Sequence, residues 1–165
     1  MNTTQIKDCL TSDAFTRTHF KGVYPRNAFI ATSLHANSMY ICNLDNSDKP
    51  GSHWIAVYIT SKLHVEYFDS YGLPPIFTDL QDHLRNYTSH ILINHVPLQG
   101  LNSVVCGQHC LVFLLLRARS YTMSEITRFF SGHTPEVRDH SVFAFIDHYF
   151  APVLPGKLSI HQYSS

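Results

Sequence analysis

Two stretches in the middle of the chain show the pattern of β-strands. Residues 53–60 (HWIAVYIT) are apolar, aromatic and β-branched, and residues 63–70 (LHVEYFDS) alternate between apolar and polar positions. Successive side chains of a strand point to opposite faces of its sheet. The apolar sets are Ile55, Val57 and Ile59 on the first stretch, and Val65 and Tyr67 on the second. Because the stretches are close in sequence, we expect them to pair as a hairpin.

The loop between these strands decides whether the two apolar sets share a face. They do so if the loop has an odd number of residues, such as residues 61–63, or if a bulge is present. Asp69 then lies opposite Ile55 and one diagonal step from His53. Diagonal neighbours are roughly 7–8 Å apart between backbones, which is within reach of a His–Asp hydrogen bond. A two-residue turn would separate the pair onto opposite faces.

Helical patterns occupy much of the remaining chain. Residues 106–120 are apolar on nearly all sides through Leu116, which predicts a helix buried at the centre of the protein. Further helices are predicted at residues 3–10, 78–87 (capped by Thr78), 124–130 and 137–150.

The segments between these elements carry shorter patterns. Gly22 and Pro25 predict turns over residues 20–27, with no regular element there. The other predictions are strands at residues 38–44 and 90–96, a loop at residues 45–52, and either a helix or a strand at residues 29–34. The tail from Ala151 contains two prolines and a glycine, and we expect it to wrap the surface or fray. The whole pattern predicts a single α+β domain over residues 1–165.

Composition narrows the class of protein. At 165 residues with 44% hydrophobic residues, the chain is long enough for one domain with a genuine core. Lys plus Arg and Asp plus Glu number 12 each, so there is no global electrostatic case for binding nucleic acid or an anionic membrane. The N-terminus lacks a signal-peptide pattern, and no apolar run is long enough to span a bilayer. Four cysteines without a secretory signal favour an intracellular, reducing compartment and free thiols.

Cys106 is a candidate nucleophile. It opens the most apolar predicted helix, where the positive end of the helix dipole stabilises a thiolate, the form that attacks a carbonyl. Gly107 beside it would let a substrate backbone approach closely. An isolated cysteine is otherwise a small core side chain. Its position at a helix start, after the loop at residues 97–105, favours the catalytic interpretation.

Gln99, in that loop, is a candidate oxyanion donor. A side-chain amide that returns beside the nucleophile can donate a hydrogen bond to a developing oxyanion, together with the Cys106 backbone N–H. Taken alone, Gln99 also fits an ordinary loop residue.

His53 and Asp69 are the candidate base and its partner. An imidazole can take the thiol proton and later protonate the leaving amine. A carboxylate bonded to the ring fixes its tautomer, as in other triads. Asp69 also fits a turn-capping residue before Ser70, and the chain has eleven other histidines, so the hairpin pairing is what selects His53.

Three blocks carry a resemblance to a known family. They are His53-Trp54, residues 67–72 (YFDSYG) and residues 99–107 (QGLNSVVCG). In this order, together with residues 20–24 and 142–150, they resemble the adenain-type cysteine proteases. That family comprises the adenovirus maturation protease and its relatives in Polinton/Maverick elements, and it shares a clan with the ubiquitin-like protein-specific proteases.

The resemblance implies a triad of His53, Asp69 and Cys106, with Gln99 and the Cys106 N–H as oxyanion donors. Trp54 would pack beside the histidine. The implied fold is a small mixed sheet packed against a buried nucleophile-bearing helix, with outer helices. The implied activity is thiol endopeptidase cleavage after glycine, at Gly-Gly or Gly-X sites in viral or mobile-element structural precursors. It would need no cofactor and would act in the host nucleus or cytoplasm, or in the virion.

Two features differ from the adenoviral enzymes. Those enzymes are activated by a short peptide that forms a disulfide with a cysteine upstream of the glutamine, whereas residues 83–98 here contain no cysteine. The adenoviral enzymes are also basic and stimulated by DNA, while this chain has a formal net charge of zero. We therefore expect no covalent peptide activation, and weak DNA dependence or none.

Three other interpretations stay open at the level of sequence. A zinc site could use Cys106, Cys110, His109 and His95, although a second paired ligand motif is missing. A protease of this clan could act on ubiquitin-like tails. A non-catalytic domain of the same fold could bind a glycine-containing peptide, but it would have no need of the complete His–Asp–Gln–Cys set.

Overall fold

The computed structural model describes residues 1–154 and has an α+β fold. The helices are α1 (Thr3–Ser12), α2 (Arg26–Phe29), α3 (Thr78–Tyr87), α4 (Cys106–Ala118), α5 (Met123–Phe130) and α6 (Pro135–Tyr149). The strands are β1 (Phe20–Pro25), β2 (Ser38–Asn43), β3 (Trp54–Ile59), β4 (Val65–Phe68) and β5 (Ile91–Ile93). The part of the predicted tail beyond Leu154 lies outside the described residues.

The five strands form one mixed sheet in the order β1-β2-β3-β4-β5. The β2–β3 and β3–β4 pairs are antiparallel, whereas β1 and β5 run parallel to their neighbours. Helix α4 packs on β3, the central strand. The predicted fold class, a small mixed sheet against a buried helix with further helices around it, is confirmed.

The β3–β4 hairpin has the predicted register. Val57 pairs with Tyr67 and Ile59 pairs with Val65, which places both apolar sets on one face. Three residues form the loop, and the strands close across it through a 2.9 Å bond from the Thr60 N–H to the His64 carbonyl. The last loop residue has a positive φ of 62°, as expected for a three-residue hairpin loop.

The sheet is buried on both faces, whereas the sequence pattern identified a single buried face. The predicted set Ile55, Val57, Ile59, Val65 and Tyr67 packs with residues of α2 and α3. The opposite face, with Ala56 and Phe68, packs against α4. A strand covered on both faces is a nearly continuous apolar run, so alternation could not show the second face.

Phe113 of α4 illustrates how that second face is held. Its ring stacks on Phe68 with a centroid distance of 4.5 Å and an interplanar angle of 6°. Truncating a fully buried phenylalanine to alanine costs about 3–5 kcal/mol. This contact helps to fix α4 on the sheet, and with it the residue at the start of α4.

Three local predictions are wrong. Residues 29–34 form neither a helix nor a strand beyond Phe29, the last residue of α2, because the Ala31 and Thr32 N–H groups bond to the carbonyls three residues earlier and the chain turns there. Residues 20–25 form strand β1, because in the described sheet it is an edge strand that pairs with β2, where a register shift at Gly22 and a terminal Pro25 are tolerated. Thr78 starts α3 but does not cap it, since the cap position is Phe77 and no side chain fills that role. The carboxylate of Asp79 instead accepts the Leu80 N–H at 2.8 Å in the first turn, where negative charge is favoured.

Helix α4 is also fixed at its far end. Arg117 forms a bidentate ion pair with Glu66 of β4, with distances of 2.7 and 2.9 Å.

No helix within residues 1–154 combines the length and the apolar character needed to cross a bilayer.

Candidate active site

The candidate site lies where β3 begins, β4 ends and α4 begins. Cys106 is the first residue of α4 and is 8% exposed. The first bond of the helix ladder runs from the His109 N–H to the Val105 carbonyl, so the N–H groups of the first turn point toward the site without partners in the ladder. Cys106 opens into a cleft of about 600 Å³, which is also lined by His53, Trp54, Tyr71, Ser103 and Val104.

The predicted His–Asp pair is present. His53 Nε2 lies 2.9 Å from Asp69 Oδ1, and both side chains are largely buried. This contact leaves Nδ1 of the ring for Cys106, which lines the same cleft, and each of the two residues shifts the pKa of the other. His53 therefore contacts both other members of the predicted triad.

The pair forms at the end of the sheet rather than within a face. His53 precedes β3 and Asp69 follows β4, so neither side chain is held to one side of the pleat. Helix α4 packs on the sheet face opposite to the Ile55 set. Its first residue, Cys106, nevertheless reaches His53 at the end of the sheet. The hairpin register brings the two residues together, as predicted. Their position at the ends of the strands makes them accessible to α4.

Asp69 is held in place by three further contacts. Asn94, just after β5, accepts the Asp69 N–H at 2.8 Å and donates to the Asp69 carbonyl at 2.7 Å. The Tyr71 N–H donates to Asp69 Oδ1 at 2.8 Å. Gly72 closes the turn with a φ of 70°, and a side chain there would approach the Pro97 nitrogen to 2.8 Å. A glycine is therefore required three residues after Asp69, the candidate partner of His53.

The electrostatics favour an ion pair between Cys106 and His53. Burial alone would lower the pKa of His53, but hydrogen bonds to Asp69 and Cys106 outweigh it and raise that pKa to about 9. Burial alone would raise the pKa of the Cys106 thiol, but His53 and the main-chain N–H of Trp54 hold it below its ordinary value. Both shifts act in the same direction: they favour a thiolate beside an imidazolium over the neutral pair.

Gln99 lies beside the site with its amide already occupied. Its Oε1 accepts the Ser70 hydroxyl at 2.6 Å, and its Nε2 donates to the Ser103 carbonyl at 2.7 Å and the Tyr71 oxygen at 3.3 Å. A carbonyl can only accept, so the Ser103 contact fixes which end of the amide is the NH₂ group. Gln99 is not among the described residues that line the Cys106 cleft.

Trp54 and Gly107 lie between the site and the N-terminal segment, which includes α1. The Trp54 indole donates to the Met1 carbonyl at 3.2 Å, and the residue lines the cleft beside His53, as the resemblance implied. A Cβ placed on Gly107 would lie 3.4 Å from Met1, Ile6 and Trp54. Gly107 thus packs against the protein's own N-terminal segment, and the approach of a substrate backbone to it stays a prediction.

The sequence analysis missed several residues that contact the site. Tyr71 stacks on the His53 ring, and Asn94 holds the Asp69 backbone. A second His–Asp pair, His109 with Asp139, lies behind the Gln99 loop. Tyr71 falls inside one of the blocks that carry the family resemblance, so its position was a signal. The other contacts join residues distant in sequence and leave no local pattern.

The candidate zinc ligands are engaged elsewhere. Cys110 is fully buried and its thiol donates to the Trp54 carbonyl at 3.3 Å, while His109 pairs with Asp139 at 2.8 Å. Within residues 1–154, no three His, Cys, Asp or Glu side chains are grouped as a metal ion would need. Each of the four cysteines, all in this part of the chain, is free.

Comparison with known proteins gives little beyond the geometry. No protein-family model matches the sequence, and a search of curated proteins finds no match. Among solved structures, the chain is similar to the ASFV pS273R protease, with 19% sequence identity and a TM-score of 0.44. The match covers 66% of this chain and 42% of that one, so this chain spans less than half the length of that protein.

Proposed function

We propose that this protein is a cysteine endopeptidase in which Cys106 is the nucleophile, His53 the general base and Asp69 the residue that orients the histidine. The observation that carries the proposal is the contact of His53 with both Asp69 and Cys106 at the start of a buried helix. Both pKa shifts support it, because a nucleophilic cysteine must be a thiolate at neutral pH.

The chemistry follows from these positions. The Cys106 sulfur attacks the carbonyl carbon of the scissile bond, and the carbonyl electron pair moves to the oxygen, which becomes an oxyanion. The Cys106 N–H and a side-chain donor from the cluster around Gln99 stabilise that charge by hydrogen bonds. His53 then protonates the leaving amine as the C–N bond breaks, leaving a thioester. Water, deprotonated by His53, hydrolyses the thioester and restores the thiolate.

The substrate class comes from the resemblance to the adenain-type proteases. It supports cleavage after glycine, at Gly-Gly or Gly-X sites in structural precursors of a virus or mobile element. The residues that support this assignment are the His53-Trp54 block and residues 67–72 and 99–107. We propose no cofactor and no covalent activating peptide, and we place the protein in an intracellular, reducing compartment.

Mass spectrometry of peptide cleavage tests the proposal. The purified protein is incubated in reducing buffer with peptides containing Gly-Gly and Gly-X-Gly, and with a panel of ubiquitin-like proteins. We expect cleavage after glycine that is lost in Cys106→Ala. Cys42→Ala is the matched control, because Cys42 is buried away from the cleft and its loss should leave cleavage intact.

The remaining outcomes each identify an alternative. Cleavage confined to ubiquitin-like tails would assign the other substrate class of the clan. Peptide binding that survives Cys106→Ala, without cleavage by the native protein, would identify a binding domain and overturn the proposal. Among site variants, we expect Asp69→Asn to lose less activity than His53→Ala, and Gln99→Ala to lose roughly two to three orders of magnitude in turnover.

A further inference from the structure

Tyr71 contacts both halves of the candidate site. Its ring stacks on the His53 imidazole, with a centroid distance of 4.9 Å and an interplanar angle of 27°. Its hydroxyl oxygen, at the other end of the ring, accepts a hydrogen bond from the Gln99 amide at 3.3 Å. Tyr71 also lines the Cys106 cleft, whereas Gln99 does not line it among the described residues. Tyr71 therefore joins Gln99, which it contacts through its hydroxyl, to the cleft that it lines.

The hydroxyl proton of Tyr71 is weakly engaged. Because the oxygen accepts from Gln99, its own proton must point elsewhere. Within residues 1–154 its acceptor is the Ser103 carbonyl, at 3.4 Å, near the limit for a hydrogen bond. That carbonyl already accepts a 2.7 Å bond from Gln99. The proton can thus turn to a charged oxygen in the cleft at little cost.

We infer that the Tyr71 hydroxyl is the side-chain group that donates to the oxyanion, together with the Cys106 N–H, and that Gln99 acts through it as a positioning residue. This inference rests on the proposed peptidase function. As the Cys106 sulfur adds to the carbonyl carbon, the electron pair moves to the oxygen and the Tyr71 O–H donates a hydrogen bond to it. No proton leaves Tyr71, and the bond is released when the amine departs.

The protonation state of Tyr71 agrees with a donor role. Burial raises the pKa of its phenol above the ordinary value, and the negative Cys106 thiolate raises it further. Both effects favour the protonated phenol, which is the form that can donate a hydrogen bond. The Gln99 N–H bond to the phenol oxygen also polarises the hydroxyl and strengthens it as a donor.

The first experiment compares Tyr71→Phe with the native protein on a Gly-Gly peptide. Phenylalanine keeps the ring on His53 and removes only the hydroxyl. We expect kcat to fall by about 10²-fold to 10³-fold with KM little changed, as for loss of one oxyanion donor. Tyr58→Phe is the matched control: its hydroxyl bonds to Asn37, outside the cleft, and its loss should leave kcat unchanged.

Alkylation by iodoacetamide separates an oxyanion role from a structural one. That reaction uses the Cys106 thiolate but forms no oxyanion, so Tyr71→Phe should react at the native rate. A parallel loss of alkylation would mean that the variant disturbs the Cys106–His53 pair, and would overturn the assignment.

The Gln99 variants test the order of the two residues. If Gln99 acts through Tyr71, adding Gln99→Ala to Tyr71→Phe should lower kcat little further, so that the losses are far from additive. Full additivity, or a Tyr71→Phe kcat within about twofold of native beside a Gln99→Ala loss of the expected size, would show that Gln99 contacts the oxyanion directly. Either result overturns the inference.

A peptide aldehyde that ends in glycinal tests the oxyanion contact through binding affinity, without a need for turnover. Cys106 adds to the aldehyde carbon, and the aldehyde oxygen then occupies the oxyanion position. We expect Tyr71→Phe to weaken this adduct by about tenfold to a hundredfold, as for a hydrogen bond to a charged group. If the native protein neither cleaves nor forms a Cys106 adduct, the proposed function itself fails; if the native protein does both and Tyr71→Phe matches it, only the role of Tyr71 fails.

Discussion

At the scale of single residues, the reactivity of Cys106 is made by its neighbours. His53 and the Trp54 N–H lower the pKa of its thiol against the effect of burial. Asp69 in turn raises the pKa of His53. All three of these groups come from the β3–β4 hairpin and the residues that flank it, and the thiol comes from α4, so the ion pair requires the hairpin and the helix to be packed together.

The raised pKa of His53 predicts the pH profile of kcat/KM. Activity requires both the thiolate and the imidazolium. It should be lost at low pH as the thiolate gains a proton, and at high pH as His53 loses its proton near pH 9. Because the Asp69 bond raises the pKa of His53, Asp69→Asn should move the alkaline limb to lower pH. Asp48→Asn, an equal charge change on an exposed loop residue, should not move it; an unmoved limb in Asp69→Asn would contradict the assignment.

The same shifts predict selective labelling of one thiol. Burial raises the pKa of Cys9 and of Cys42 to about 12, and raises that of Cys110 well above its ordinary value. Iodoacetamide at neutral pH should therefore add once, at Cys106, as read by intact mass and peptide mapping. Cys106→Ser should give no adduct at the same dose. Labelling of a second cysteine at a similar rate would argue against the thiolate at Cys106.

Individual site residues were predictable to different degrees. His53 and Asp69 could be paired from side-chain parity, because both lie in one hairpin and its register follows from the loop. The orientation of the Gln99 amide could not, because it depends on Ser70, Tyr71 and Ser103, which come together only in the fold.

At the scale of elements, α6 holds the loop that leads into the nucleophile helix. Arg138 donates to the Pro97 carbonyl at 3.1 Å, and Asp139 accepts the Gly100 N–H at 2.9 Å. The second oxygen of Asp139 lies 2.8 Å from His109 of α4. One carboxylate thus joins the loop, α4 and α6, and fixes the segment that carries Gln99.

Asp139→Asn should loosen this segment. An amide is uncharged and accepts with its oxygen only, so the two charge-assisted bonds to Gly100 and His109 cannot both be kept. We expect the free energy of unfolding to fall by about 1.5–3 kcal/mol, the range for hydrogen bonds to charged groups, as measured by chemical denaturation. Glu136→Gln, one turn earlier and exposed, is the matched control and should lose only the smaller contribution of a negative charge in the first turn of the helix, about 0.3–1 kcal/mol. Equal stability of the two variants would remove Asp139 from this role.

The elements themselves were predictable where their pattern is local. The hairpin strands and α4 were found because apolar periodicity specifies them directly. Strand β1 was missed, since its parallel pairing with β2 is a long-range contact that overrides the turn chemistry of Gly22 and Pro25. The role of α6 was missed for the same reason: the Gly100–Asp139 bond spans 39 positions.

At the scale of the whole molecule, the balance of charge sets an expectation about DNA. The 12 basic and 12 acidic residues cancel, so the field that attracts a polyanion is absent overall. Duplex DNA should therefore leave kcat/KM unchanged at physiological salt. Peptide cleavage with and without duplex, with heparin as a second polyanion, measures this. Stimulation by DNA that disappears as salt is raised would contradict the expectation.

The division of the site between the β3–β4 hairpin and α4 has a consequence for the protein during its synthesis. His53 and Asp69 leave the ribosome before Cys106, and α6, which steadies the loop ahead of Cys106, follows later. Until α4 docks on the sheet, Cys106 is an ordinary thiol that is mostly protonated and unreactive. A nascent or damaged chain would therefore be unable to digest itself or its neighbours, and proteolysis would begin only once folding is complete.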